Sequence, residues 1–177
     1  PVCDSVVKKT EGQAAYRCTG GLSCSAQAAE RIIHYASRKC MNIVNLGERL
    51  IETLHNNGVL HTVADIYKIQ ASDIASLEGQ GEKSAKNVLD AIEVSKQTKL
   101  GTFLSALGIP EVGEEGAKTI AKSLKSLDAI KNASFEQLIT VPDVGPVTAK
   151  NIVEFFQDEK NQSIIAEILN AGVTWQD

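Results

Sequence analysis

Residues 110 to 121, PEVGEEGAKTIA, and residues 142 to 153, PDVGPVTAKNIV, decide the fold. In each, a Pro-acid-Val-Gly turn leads into a run whose small and apolar residues recur at three- and four-residue intervals: Ala117, Ile120 and Ala121 in the first, Ala149, Ile152 and Val153 in the second. That spacing is one face of a helix beginning just after the glycine. Upstream the same grammar returns in EGQGEKSAKNV, residues 78 to 88, and more loosely in VNLGERLIETL, residues 44 to 54. The anchor glycines Gly47, Gly81, Gly113 and Gly145 lie 34, 32 and 32 residues apart. The first copy departs most, with Ile51 at the alanine position and Glu52 at the lysine position.

Before each glycine runs a shorter amphipathic stretch: MNIVN, SDIASLEG, FLSALGIPEVG and SFEQLITVPDVG. The unit is therefore helix, tight turn, helix, repeated four times. The segments TVADIYKIQ and SLDAIKNAS, about 64 residues apart, read as short connecting helices opened by Thr or Ser caps. Units one and two thus form one pair (41–98), and units three and four a second (99–177). Strand signals are nearly absent, so the expected fold is all-α over residues 29–177, preceded by a small cysteine segment at 1–28.

Composition bounds the function. The 177 residues are 43% hydrophobic with a net charge of −4. Residues 1–40 hold 6 Lys/Arg against 3 Asp/Glu, and residues 41–177 hold 12 against 19, so the larger part carries no global positive field. Apolar runs are far shorter than the roughly 18 to 20 residues that cross a bilayer, and the first twenty residues lack an apolar signal core. A cytoplasmic protein is expected, with no membrane partner.

A glycine that opens a helix combines three properties. It permits positive φ and lets a ligand approach the backbone without a Cβ in the way. It also precedes a first turn whose N–H groups lack intrahelical partners and sit at the positive end of the helix dipole. A phosphate oxygen satisfies such groups. The candidate phosphate-binding residues are Gly47, Gly79, Gly81, Gly113 and Gly145, with Arg49 and Lys83 two residues after their glycines and Lys86, Lys118 and Lys150 five after theirs. The competing reading is that these glycines are ordinary turn chemistry, the alanines serve close helix packing, and the lysines are merely solvated.

The four cysteines, Cys3, Cys18, Cys24 and Cys40, crowd into the first forty residues, a pattern that favours metal over disulfide. Structural zinc takes four ligands, often opened by a C-x-x-C knuckle, which here would need a cysteine immediately before Pro1. Residues 25–41 read as a helix with Ala29, Ile32 or Ile33, Ala36 and Cys40 on one apolar stripe, so Cys40 is expected in the core, and His34 on a helix surface or in packing. The finger is then partial, and a missing thiolate costs on the order of several kcal/mol of metal binding.

In combination these motifs resemble a known family. The C-x14-C-x5-C spacing, then IIHYASRKCMNIVNLGERLIETL, LEGQGEKSAKNVLDAIEVSK, ALGIPEVGEEGAKTIA and VPDVGPVTAKNIVEFF, resemble the zinc-finger and helix-hairpin-helix region of bacterial NAD-dependent DNA ligase, over essentially the whole chain. The departures are the absent first cysteine and Cys40, where the family more often has a small residue. The resemblance implies tandem helix-hairpin-helix repeats that engage nicked double-stranded DNA from its backbone and minor-groove side without reading sequence. It also implies zinc held by Cys3, Cys18 and Cys24, and a nucleoid-associated protein of replication and repair. A parent enzyme would seal nicks with NAD and magnesium, using an adenylation domain, an oligonucleotide-binding domain and a BRCT domain. The family's K-x-D-G adenylation motif does not occur in these residues, so the chain itself is expected to be non-catalytic. Two alternatives stay open: a hairpin-repeat subunit of a repair nuclease or junction complex, which should lack the finger, and a helical protein-interaction module, marked by a contiguous exposed apolar patch and salt-tolerant binding.

Overall fold

The computed structural model describes the backbone of residues 7–9 and 16–18, and residues 27–77 and 79–175. Two short antiparallel strands come first, β1 (Val7–Lys9) and β2 (Tyr16–Cys18), with Lys8 opposite Arg17. Helices follow: α1 (Ala28–Ala36), α2 (Glu48–Asn56), a 3-10 turn (Val63–Lys68), α3 (Ala71–Ala75) and α4 (Glu82–Ser95). After β3 (Gln97–Thr98) come α5 (Leu100–Ala106), α6 (Glu114–Leu124), α7 (Leu127–Asn132), α8 (Phe135–Ile139), α9 (Pro146–Gln157), α10 (Glu159–Asn170) and β4 (Thr174–Trp175). The hairpins α3–α4, α5–α6 and α8–α9 fall where the repeats place them.

The first unit differs from its expectation. MNIVN is not helical, and α1 is the helix that leads into the first glycine turn. Nor does a helix span residues 25–41: Ser37 turns extended (ψ 161°) and ends α1 at Ala36. The amides of Met41 and Ile43 fold back onto the carbonyls of Tyr35 and Ala36, at 2.9 and 3.1 Å, and satisfy the groups a helix end leaves open. Cys40 is buried, as expected, but in this loop rather than on a helical stripe.

Connector caps are local chemistry the sequence announces. Ser126 Oγ accepts from the Ala129 amide and Ser134 Oγ from the Gln137 amide, both at 3.1 Å. At Thr62 the cap is reinforced from the other side, because the Asp65 carboxylate accepts from the amides of His61 and Thr62. Between α9 and α10, Asp158 caps α10 while Asn161 and Gln162 donate to the Phe155 and Phe156 carbonyls at the end of α9.

The buried faces join into one core running from Ile32 to Val173. Ala85, Ala117 and Ala149 are completely buried, four residues after their glycines, and Ile51 fills that position in unit one. Alanine suits the position because the paired helices approach closely. In unit three a Cβ on Gly101 of α5 would lie 3.0 Å from the Lys118 Cα of α6. Each fully buried Ile, Leu or Phe contributes about 1.5 to 3 kcal/mol relative to exposure.

A short parallel pairing was not legible from strand patterning. The Thr174 amide donates to the Lys96 carbonyl at 2.8 Å, and Trp175 stacks on Phe103 at 5.3 Å, bringing the end of the described chain onto the segment that joins α4 to α5. Among the described residues no helix is long and apolar enough to cross a membrane.

Candidate nucleic-acid interface

The four glycine turns share one backbone design. In each, the residue before the glycine donates its amide to the carbonyl three residues earlier: Leu46 to Ile43, Gln80 to Leu77, Val112 to Ile109 and Val144 to Val141, at 3.0 to 3.2 Å. The third residue of each turn has positive φ: Asn45 (74°), Gly79 (79°), Glu111 (67°) and Asp143 (67°). This is the pattern of a type II turn, which also accepts proline at its second position, where Pro110 and Pro142 stand.

Positive φ therefore sits two residues before the anchor glycines, not on them. Gly47, Gly81, Gly113 and Gly145 have φ between −85° and −152° and extended ψ, and each is the N-cap of its helix. Any residue can adopt that backbone, so conformational freedom does not explain the glycine. Packing does not explain it either, because among the described residues a Cβ built on any of the four meets no atom within 4 Å beyond its chain neighbours and its own helix. Open space at the Cα and the missing side chain leave the backbone free for close approach.

The first intrahelical bond in each unit is made by the residue four after the glycine: Ile51 to Gly47, Ala85 to Gly81, Ala117 to Gly113 and Ala149 to Gly145, at 2.9 to 3.0 Å. The amides of the glycine and of the next three residues precede that bond and lie at the positive end of the helix. In unit four Pro146 has no N–H, so that tip offers one donor fewer.

The cationic side chains are not equivalent. Arg49, Lys83 and Lys86 are exposed near their turns. Lys150 is exposed and lies 3.9 Å from Glu154. Lys118 is held by its own helix: the hydrogen bond to Glu114 at 3.4 Å and then the nearby Glu115 raise its pKa, and its stem lies over Gly101. Unit three also carries Glu111 in the turn, so three carboxylates compete there with any incoming phosphate. Units two and four balance acid and base around their turns. Units three and four touch through Asn151, whose Nδ2 donates to the Pro110 carbonyl of turn three at 3.0 Å.

Of the cysteine ligand set, Cys3 and Cys24 lie outside the described residues, and Cys18 is described only as the last backbone position of β2. Cys40 is buried in the core, with its Sγ 3.6 Å from His34 Nε2. His34 Nε2 is also 2.8 Å from the Ser105 carbonyl, which can only accept, so this nitrogen carries a proton. The Cys40 bond, opposed in part by burial, raises the His34 pKa. Burial pushes the Cys40 thiol up, but the bonds from His34 and Ser37 outweigh it and leave the thiol below its ordinary value. Among the described residues, no group of three or more His, Cys, Asp or Glu converges on a metal position.

Sequence reasoning missed Asn45, Glu111 and Asp143 as the residues that turn the chain. Asn45 and the Pro-Asp pair carry the usual turn signal; Glu111 carries none. It also missed Gly101, the glycine that packing does require.

Four helical units with glycine-capped, open tips define a tandem helix-hairpin-helix protein. Comparison with known proteins makes the class particular. Residues 41–93 match the family "SAM-like Helix-hairpin-helix tandem", residues 102–165 match "Helix-hairpin-helix motif", and residues 1–26 match "NAD-dependent DNA ligase C4 zinc finger domain". The chain is 49% identical over 175 residues to a DNA ligase of Hahella chejuensis, covering 99% of the chain and 26% of the relative. It is 51% identical over 177 residues to a DNA ligase of Marinobacter nauticus and 45% identical to one of Cellvibrio japonicus, each covering 100% of the chain and 26% of the relative. The chain thus matches the zinc-finger and helix-hairpin-helix region of NAD-dependent DNA ligases, and spans about a quarter of the length of these curated relatives.

Proposed function

We propose that this chain is a non-catalytic DNA-binding region of an NAD-dependent DNA ligase, holding the backbone of nicked duplex DNA without reading its sequence. The observation that carries the reading is the open glycine cap repeated four times: among the described residues no atom occupies the space a Cβ would take, and a row of helix-start amides adjoins it. Donors of this kind are absent from any charge count, which is how a chain of net charge −4 can hold a polyanion. Contacts to phosphate position a duplex and carry no base information.

The grip is assigned to Gly47, Gly79, Gly81, Gly113 and Gly145 with Arg49, Lys83, Lys86, Lys118 and Lys150, and the charge balance makes units two and four the stronger tips. Cys3, Cys18 and Cys24 supply three of the four donors of a structural zinc, which would stiffen the segment ahead of α1. In a parent ligase, sealing the nick would draw on NAD and magnesium held by adenylation, oligonucleotide-binding and BRCT domains, in the cytoplasm and at the nucleoid.

A salt titration of duplex binding tests the proposal. Log affinity should fall linearly with log salt, with a slope of about −0.9 per phosphate neutralised, and equally for unrelated sequences. Salt-independent binding would point instead to a protein-interaction module, and sequence-selective binding to base readout.

A further inference from the structure

We infer that Val44 and Val147 are sugar-contacting residues that make the clasp selective for deoxyribose over ribose; the inference rests on the duplex-binding reading above. Among the described residues five large apolar side chains are strongly exposed, and two of them stand at the glycine turns: Val44, 57% exposed, and Val147, 60% exposed. Val44 is the second residue of turn one, at its outer corner, immediately before the left-handed Asn45. Val147 is two residues after Gly145, so its own amide is one of the open donors at tip four.

Helix geometry directs Val147 toward the ligand. A helical Cα–Cβ bond tilts toward the helix N-terminus, so the isopropyl group leans to the side from which a phosphate would approach. Units one, two and three carry Arg49, Lys83 and Glu115 at the same position, all of them charged. Valine adds nothing to the attraction for phosphate, and its exposure is unfavourable in the free protein.

The backbone of a duplex alternates phosphate with sugar, and the sugar is its apolar part. An amide that clasps a phosphate brings the side chain beside it onto the neighbouring sugar. Deoxyribose offers a methylene at the 2′ position, which packs on an isopropyl group. Ribose offers a hydroxyl there, and pressing a hydroxyl against an isopropyl group leaves its hydrogen bonds unmade. Val44 in the first pair and Val147 in the second set this filter at both ends of the array.

The test is the isosteric pair of substitutions Val44→Thr and Val147→Thr, singly and together. Both sites are exposed, so circular dichroism melting curves should superimpose on those of the parent. Binding is measured by fluorescence anisotropy on a nicked DNA duplex in which one ribonucleotide is moved along each strand relative to the nick, which marks the register and keeps the duplex otherwise deoxy. In the parent, ribonucleotides at two or more positions should weaken binding by about tenfold. In the double variant that penalty should shrink to about twofold or less, because threonine gives the 2′-hydroxyl a partner. Each single variant should relieve a different position. Uniform tolerance of ribonucleotides by the parent, or an unchanged penalty in the double variant, overturns the inference. Failure of the parent to bind the all-deoxy duplex overturns the reading of the site itself, and this inference with it.

Discussion

At the scale of single residues, a glycine's use is visible in what surrounds its Cα. Gly145 and its three counterparts have ordinary φ and empty space where a side chain would be, so neither backbone strain nor packing among the described residues requires glycine there. The positions were legible in the sequence, but the reason was only half legible: positive φ belongs to Asn45, Gly79, Glu111 and Asp143, and no local rule points to Glu111. His34 and Cys40 show a similar limit. The burial of Cys40 could be read from sequence, whereas its pairing with His34 depends on a loop that returns Cys40 beneath α1. The two shifts act on stability in opposite senses: the lowered Cys40 pKa adds stability at high pH that is lost as pH falls through the folded thiol value, and His34 acts the other way. Because His34 has a raised pKa when folded, its stabilising contribution is fully present below the ordinary value of 6.5 and is lost as pH rises through the higher folded value. His34→Gln should flatten that decline, as read in urea unfolding midpoints between about pH 6 and pH 8; an unchanged profile would show that other groups control it.

Among the helical elements, each hairpin is held by close approach of its two helices, and the small residues that allow it recur at a fixed offset from the glycine. Ala85, Ala117 and Ala149 could be identified from that offset alone. Gly101 could not, because its partner is the backbone of α6 rather than a residue at helical spacing. Gly101→Val should therefore destabilise the fold by about 1 to 3 kcal/mol, since the added atoms press on the Lys118 main chain, which cannot swing away, as well as on its Cγ. Thermal unfolding measures it, and an unshifted midpoint would mean that α5 and α6 separate at little cost. The units also differ electrostatically in a way their common pattern conceals. Unit three gathers Glu111, Glu114 and Glu115 at its tip and ties up Lys118, whereas units two and four leave their amides less contested.

Across the whole molecule, the repeats gave the all-α plan, and one core from Ile32 to Val173 joins the units. What the repeats did not disclose are the joints: the β3–β4 pairing, the Trp175 stack on Phe103, and the Lys68–Glu167 ion pair at 3.0 Å that links the 3-10 connector to α10. Each joint relates residues far apart in sequence, beyond the reach of periodicity. On the proposed reading the four short tips act as one polyanion-binding array, although the chain is net acidic. The most direct measurement replaces the caps with serine, a residue that helix starts favour as much as glycine and that should shift stability by only a few tenths of a kcal/mol. Duplex affinity and melting temperature are measured together for Gly81→Ser/Gly145→Ser and for Gly113→Ser. If helix-start amides clasp phosphate, the double variant binds about a hundredfold more weakly with its melting temperature unchanged, and Gly113→Ser loses much less. Undiminished binding by the double variant, or a loss of binding that merely tracks a loss of stability, would contradict the clasp.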